Sequence, residues 1–328
     1  MKLNQNELSL AVHGAVETEQ RDGYTFFLRF TKKQREYYAT TEFSGKEWGS
    51  SGMYLEFVTD AERLRFEYKE IKASSQCFYY FDLFINGKMV THVGTDAYDG
   101  AEEGIYDAAL PSGEKTVRLY FPNLSGTGIR NVELMNATVF RPTEKKLNYM
   151  AYGDSITQGY TAKEPSLTYV NLLGAALDAN VYDLGIGGER FQPLMIDENY
   201  PVRADIVTVA YGTNDWCVLN AENGLRQMKE FLQKLTQVHK DSVIYVVLPI
   251  WRGNGAEDVQ KALGTLEEYR AILREEAGKY EQITVVEGID LVPHHADFYV
   301  KDQLHPNALG FTQYAKNLLN EIKASNRI

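Results

Sequence analysis

Cysteine is nearly absent: Cys77 and Cys217 are the only two in 328 residues. Two thiols so far apart do not make a disulfide framework, and free thiols in a reducing compartment are expected. Basic charge is in deficit, with 34 Lys and Arg against 45 Asp and Glu and a formal net charge of −11. Nucleic acid attracts basic surfaces, so no nucleic-acid partner is expected. No apolar run approaches the roughly 20 residues that span a membrane. The N-terminus, MKLNQNELSLAV, has no long apolar segment behind a basic patch. Neither a secretory leader nor a membrane partner is expected, and the expected location is cytoplasmic. Internal repeats and low-complexity tracts are also missing. The sequence carries no signal for oligomeric state.

What remains is ordinary globular material, 44% hydrophobic and 24% charged, long enough for two domains. Residues 1–143 read as strands. Tyr24, Phe26, Leu28 and Phe30 alternate with other residues, as do Met53, Leu55 and Phe57. Leu64, Phe66 and Tyr68 alternate with charged residues, which marks a strand with one wet face. The run Phe78–Ile85 ends at Asn86-Gly87, a strong hairpin signal because that turn needs positive φ at both positions. Val117–Phe121 and Val132–Phe140 are further strands. With no convincing helix among them, these strands predict a β-sandwich, jelly-roll-like in type. Its many aromatics are expected in the core or against the neighbouring domain. Sugar stacking on them is the alternative. His13 and His92 lack ligand-spaced partners and are expected to be structural. Asn123-Leu124-Ser125 and Asn136-Ala137-Thr138 fit the glycosylation pattern, without meaning in a cytosolic protein.

Arg141 to Lys146, RPTEKK, reads as a short linker. From 144 to 328 the pattern becomes alternating strands and helices. Strands are expected at Asn148–Tyr152, Asn180–Leu184, Ile206–Ala210, Val243–Leu248 and Ile283–Val286. One helical stripe runs Leu225, Met228, Phe231, Leu232 and Leu235. Another runs Val259, Leu263, Leu266, Tyr269 and Leu273, and a last helix covers Asn307 to Lys323. This predicts an α/β domain, a five-stranded parallel sheet flanked by helices. In such sheets ligands bind beyond the carboxyl ends of the strands. That places three loops on one rim: Gly153–Ser155, Gly185–Arg190 and Tyr211–Asp215.

Each loop offers something to acyl transfer. Ser155 follows a strand end, where a hydroxyl is held on a rigid mount. Taken alone, Gly-Asp-Ser equally makes a turn. The run Gly185-Ile186-Gly187-Gly188 lets backbone N–H groups approach a substrate oxygen. Asn214 offers a side-chain amide, and such an oxyanion donor is worth roughly 3–4 kcal/mol of barrier. A base is offered by His305, with Asp302 three residues earlier to orient it. Taken alone, both also fit a loop and helix start. His239 fits a helix end. The alternative set His294, His295, Asp297, Asp302 and His305 could ligate zinc, but adjacent histidines do not easily face one ion.

Together the stretches YGDS, GIGGER, GTND and DQLHP resemble, in order, the four blocks of the SGNH, or GDSL, hydrolase family. The resemblance covers about residues 147–328 and implies an SGNH/flavodoxin-like domain. It implies that Ser155 is the nucleophile, that His305 and Asp302 are base and orienting acid, and that the Ser155 and Gly188 N–H groups with the Asn214 amide form the oxyanion hole. Glu189-Arg190 departs from the Asp-Thr that many members carry. Asp154 and Asp215 are expected to shape their loops. Phe191, Tyr211, Trp216 and Trp251 are candidate substrate walls and, equally, candidate core residues. No metal and no organic cofactor is expected. A sandwich ahead of the hydrolase domain also resembles the two-domain carbohydrate acetyl-esterases of this superfamily. The implied activity is deacetylation of a small-molecule or oligosaccharide ester. A general esterase or lysophospholipase is the alternative within the family, and a non-catalytic carbohydrate-binding or scaffolding protein the alternative outside it. The short linker predicts a sandwich held rigidly against the hydrolase domain and lining one edge of its cleft.

Overall fold

The computed structural model describes residues 1–218 and 220–327. The first half forms two antiparallel sheets. One runs, in spatial order, Val12–His13, Tyr54–Thr59, Lys115–Tyr120, Tyr79–Ile85 and Lys88–Thr95, with Phe140–Pro142 also paired to Tyr54–Thr59. The other runs Glu17–Arg21, Tyr24–Leu28, Ser125–Met135, Arg63–Lys72 and Ala101–Ala109. Leu55, Phe57, Phe81, Leu83, Val117 and Leu119 of the first sheet share a core with Phe27, Leu64, Phe66, Ile129 and Leu134 of the second. The period of two along each strand puts these apolar residues on the facing sides. Asn86 and Gly87 both take positive φ, 50° and 78°, as the hairpin turn requires.

Two helices interrupt this half where none is expected, at Gln5–Ala11 and Lys32–Tyr38. Each has only seven residues, too few for a periodic apolar stripe to stand out. Their signal is local. Asn4 with Glu7, and Thr31 with Gln34, form capping boxes that satisfy orphan donors at each helix start.

The second half is a five-stranded parallel sheet whose strands, numbered along the chain, lie in the order 2-1-3-4-5. The strands are Leu147–Gly153, Ala179–Gly185, Ile206–Ala210, Val243–Val247 and Ile283–Val286, close to expectation. Alternate residues feed opposite faces. Met150 and Tyr152 join the core built with helices Ala221–Val238 and Leu266–Ala277. Tyr149 and Ala151 join the core built with Tyr169–Leu177 and Ala308–Ala324. The helix expected from Val259 begins only at Leu266. Gly264 takes φ +88°, and Thr265 caps the helix with Glu268. Val259 is accordingly exposed. Among the described residues no helix is long and apolar enough to cross a membrane.

The halves interlock. Phe30, Tyr38 and Phe43 belong to the core of the parallel sheet, together with Leu184, Ile186 and Phe191. Arg29 is fully buried and donates to Gly49 O (2.7 Å), Asp183 O (2.8 Å) and Gly185 O (2.7 Å). Asn123 is buried and donates to Gly159 O at 2.5 Å. Its amide is therefore engaged in the fold, whatever its sequence pattern.

Candidate active site

Register fixes the rim. Gly153 pairs with Gly185 on one side and Ala210 on the other, so the three strands end level. Their loops start side by side, at the sheet edge where strand order reverses.

After Gly153 the chain enters a single helical turn, Ser155–Gln158, capped by Asp154, whose Oδ1 accepts the Ile156 N–H at 2.9 Å. Gly159, at φ +77°, ends it. Ser155 Oγ lies 2.8 Å from His305 Nε2, and His305 Nδ1 lies 2.6 Å from Asp302 Oδ2. Asp302 Oδ1 also accepts the backbone N–H groups of Leu304 (2.9 Å) and His305 (3.0 Å). Gln303, at φ +55°, makes the tight turn that brings acid and base together. Asn307 then caps the last helix through the N–H groups of Leu309 and Gly310. With Nδ1 facing a carboxylate, the proton sits there and Nε2 is left as an acceptor for the serine hydroxyl.

Burial lowers the pKa of His305; Asp302 opposes this, and Arg252 adds to it. Burial pushes Asp302 up, but the hydrogen bonds from His305 and Leu304 outweigh it and hold the carboxyl below its usual range. His305 is thus set as neutral imidazole and Asp302 as carboxylate near neutral pH. The Tyr160 ring covers His305, centroids 4.8 Å apart.

The second loop is tied down closely. Gly187 N–H donates to Gln158 Oε1 (2.8 Å), and Gly187 O accepts from Lys46 Nζ (2.5 Å). Gly188 has φ +90°, a conformation that favours glycine. Among the described residues neither the Ser155 N–H nor the Gly188 N–H has a protein acceptor. From the third loop, Asn214 Nδ2 donates to Glu189 O at 3.0 Å and approaches Asp154 Oδ2 at 3.4 Å. The longer contact is the weaker. Asp215 Oδ1 accepts the Phe191 N–H at 2.9 Å, joining the second and third loops. Burial raises the carboxyls of Asp154 and Asp215 to about 7. Glu189 is buried too, its Oε1 accepting the Arg190 N–H; the carbonyl of this residue is what anchors Asn214.

Three of the four expected wall residues are core residues instead. Phe191, Tyr211 and Trp216 are at most 2% exposed and pack with Phe231 or Tyr269 behind the loops. The Trp216 indole N–H is spent on Gly264 O. Trp251 is half-buried and stacks on His294. The five residues of the alternative zinc set are not gathered: among the described residues no group of three or more His, Cys, Asp or Glu is placed to hold a metal. Cys77 and Cys217 are free and exposed. The participants missed from sequence are Gln158, Phe43, Lys46 and Arg252. A cavity of about 670 Å³ between Glu56, Arg118 and Lys145 and the segment from Ser166 to Ala175 has neither Ser155 nor His305 in its walls.

Residues 151–312 match the model of the GDSL-like Lipase/Acylhydrolase family. No curated protein matches the sequence. Among solved structures, the chain is similar to the salicylyl-acyltransferase SsfX3 of a tetracycline biosynthetic pathway. That match has 21% identity and a TM-score of 0.81 over 96% of this chain and 94% of that one. It is also similar to a family two carbohydrate esterase from Clostridium thermocellum in complex with cellohexaose, at 14% identity and a TM-score of 0.67 over 85% and 94%. An acetyl xylan esterase, Est2A, from the rumen bacterium Butyrivibrio proteoclasticus gives 15% identity and a TM-score of 0.62 over 97% and 96%. At these identities the likeness is one of fold, and it runs through both halves.

Proposed function

From the premise that residues 151–312 form a domain of the GDSL-like acylhydrolase family, an enzyme domain that cleaves carboxylic esters, we propose that this chain removes a short acyl group, acetyl first among them, from a sugar or oligosaccharide. The observation that carries the reading is the relay from Ser155 Oγ through His305 to Asp302, at 2.8 Å and 2.6 Å. Ser155 attacks the ester carbonyl while His305 Nε2 takes its proton. Asp302 keeps the imidazole in the right tautomer and stabilises its charged form. The Ser155 and Gly188 N–H groups and the Asn214 amide receive the negative charge that develops on the carbonyl oxygen. His305 then protonates the leaving alcohol, and a water activated by the same residue frees the acid.

The reading divides the chain into an accessory sandwich, residues 1–143 and jelly-roll-like, and a catalytic domain, residues 144–328. It is supported by the last sandwich strand ending at Pro142 and the first parallel strand starting at Leu147. The sugar substrate is supported by likeness to a carbohydrate esterase over 85% of the chain and to an acetyl xylan esterase over 97% of it. A second reading, transfer of the acyl group to an alcohol in place of water, is favoured by the likeness to a salicylyl-acyltransferase.

Ser155→Ala is expected to leave a folded protein with at least about 10³-fold lower kcat on 4-nitrophenyl acetate, and a phosphonate probe should label Ser155. A label on another serine would overturn the nucleophile. Acetylated xylo- and cello-oligosaccharides, compared with longer nitrophenyl esters, test the substrate. An added alcohol that diverts the acyl group from water would favour the second reading.

A further inference from the structure

Resting on the reading of Gly188 N–H as an oxyanion donor, we propose that Lys46, from the first half of the chain, is a positioning residue for that donor. Its ammonium holds the peptide plane between Gly187 and Gly188 so that the Gly188 N–H faces the reacting oxygen.

The argument starts from peptide geometry. A trans peptide unit is planar, and its C=O and N–H point in opposite directions. Fixing Gly187 O therefore fixes the Gly188 N–H. Lys46 Nζ donates to that oxygen at 2.5 Å. A Gly-Ile-Gly-Gly run has little intrinsic preference for one orientation, since glycine populates both signs of φ. It needs restraint from outside, and the restraints are visible. Gln158 Oε1 accepts from Gly187 N–H on the near side. On the far side stands Phe43: a β-carbon built on Gly188 would meet its Cε1 at 3.2 Å and Lys46 Nζ at 3.8 Å. Arg29 takes Gly185 O at 2.7 Å, at the start of the same loop. Three of these four restraints come from residues 29–46.

Lys46 is itself well placed to hold. Its Nζ sits 5.0 Å from the Phe43 ring centroid, a favourable place for a cation. Its backbone begins the short helical turn Lys46–Trp48, and its carbonyl accepts from Arg29 Nη2 at 3.4 Å. A β-carbon built on Gly187 would lie 3.7 Å from Ser155 Cβ and 4.0 Å from Lys46 Nζ. The ammonium is thus one glycine removed from the nucleophile, acting through the peptide between them. A cation on the carbonyl also polarises the unit and strengthens its N–H as a donor.

The test compares full-length wild type, Lys46→Met and Lys46→Arg on 4-nitrophenyl acetate. Lys46→Met should lower kcat on the order of 10- to 100-fold, less than the loss of a whole oxyanion donor, with KM within about 2-fold. Lys46→Arg, which keeps a cationic donor, should recover most of that loss. A boronic acid, whose tetrahedral serine adduct places an oxygen in the same site, should weaken by a similar factor. The proposal is overturned by a normal kcat in Lys46→Met. It is overturned equally by a raised KM at constant kcat, which would make Lys46 a substrate contact. Lys46→Arg as impaired as Lys46→Met, with both unfolding earlier than wild type, would leave only a structural role and also overturn it. A wild-type chain without esterase activity would overturn the parent reading and this one with it, whereas active wild type, inactive Ser155→Ala and normal Lys46→Met would overturn Lys46 alone.

Discussion

In the proposed mechanism His305 accepts a proton only as neutral imidazole, and its surroundings favour that form: burial lowers its pKa from 6.5 despite the pull of Asp302. The acid limb of kcat/KM should therefore have its midpoint below pH 6.5, measured from pH 4 to 8; a midpoint above 6.5 contradicts the assignment. Asp302→Asn removes the group that raises this pKa, so the limb should move lower still, while kcat falls about 10³- to 10⁴-fold. Glu70 gives a second pH effect, on stability. It is fully buried, Oε2 accepts from Ser125 (2.5 Å) and Thr127 (3.1 Å), Oε1 has no partner among the described residues, and burial raises its pKa from 4.5 to about 8. The folded state then holds this proton more tightly than the unfolded state, so stability falls as pH rises from about 4.5 to about 8. The buried His13, His239 and His305 are lowered and act in the opposite sense, but only up to about 6.5. Asp154, Asp183 and Asp215, raised by burial to about 7, add to this loss in the same sense. Urea unfolding should show lower stability at pH 8.5 than at pH 6.5, and Glu70→Gln should reduce that difference without abolishing it; an unchanged slope would remove Glu70 as one of its sources. Ser155, Asp302 and His305 were legible because their order in the chain resembles a known pattern. Glu70 was half legible: it continues the apolar series Leu64, Phe66, Tyr68 on one strand face. Lys46 and Arg29 were not, because a lone cation in sequence reads as solvated surface.

Elements were legible where they are long. The five parallel strands and the helices Ala221–Val238 and Ala308–Ala324 carry enough turns or apolar residues for their period to show. The helices Gln5–Ala11 and Lys32–Tyr38 do not, and only their caps give them away. The stripe through Val259 and Leu263 extended a real helix backwards across Gly264, whose positive φ breaks it. Whether aromatics near the rim line the site or fill the core was left open by the sequence for a related reason. A residue number just past a strand end gives closeness to the site but not the direction of the side chain. Thr31 tests the importance of a cap. Its Oγ accepts from the Gln34 N–H at 3.3 Å and donates to Asp197 Oδ2 at 2.7 Å, across to the other half. Thr31→Ala should cost about 1–2 kcal/mol of stability by urea unfolding, with esterase activity of the folded protein kept. A change below a few tenths of a kcal/mol would mean that neither bond matters.

For the whole molecule, the two halves were legible from the change of pattern near Arg141, and the short linker predicted that they pack rigidly together; the residues that join them were not legible. A fragment from Lys146 onward keeps Ser155, Gly188, Asn214, Asp302 and His305. That fragment would lose Phe30, Tyr38 and Phe43 from the core of the parallel sheet and Arg29 and Lys46 from its second loop. We expect it to aggregate, and the full chain to unfold in one calorimetric transition. Two separated transitions would show the halves to be independent. Arg29→Met should lower stability by about 3–5 kcal/mol, the usual cost of breaking a buried charge pair. It leaves the Asp183 and Gly185 carbonyls without this donor, and Asp183 Oδ1 without the cation 3.8 Å away. Stability close to wild type would mean that water replaces the guanidinium.

The clamp also sets an order of events on the ribosome. Arg29 and Asp183 are 154 positions apart, and Lys46 and Gly187 are 141 apart. Bacterial and eukaryotic synthesis adds about 5–20 residues per second, so the segment bearing Arg29, Phe30, Tyr38 and Phe43 waits roughly 7–30 s for the strand that receives it. During that interval an unpaired guanidinium and three core aromatics have no partner. The sandwich can close around its own core, but its seam stays open and apolar until the nascent chain has passed the second parallel strand. At this stage, before any substrate is met, the open apolar seam favours aggregation.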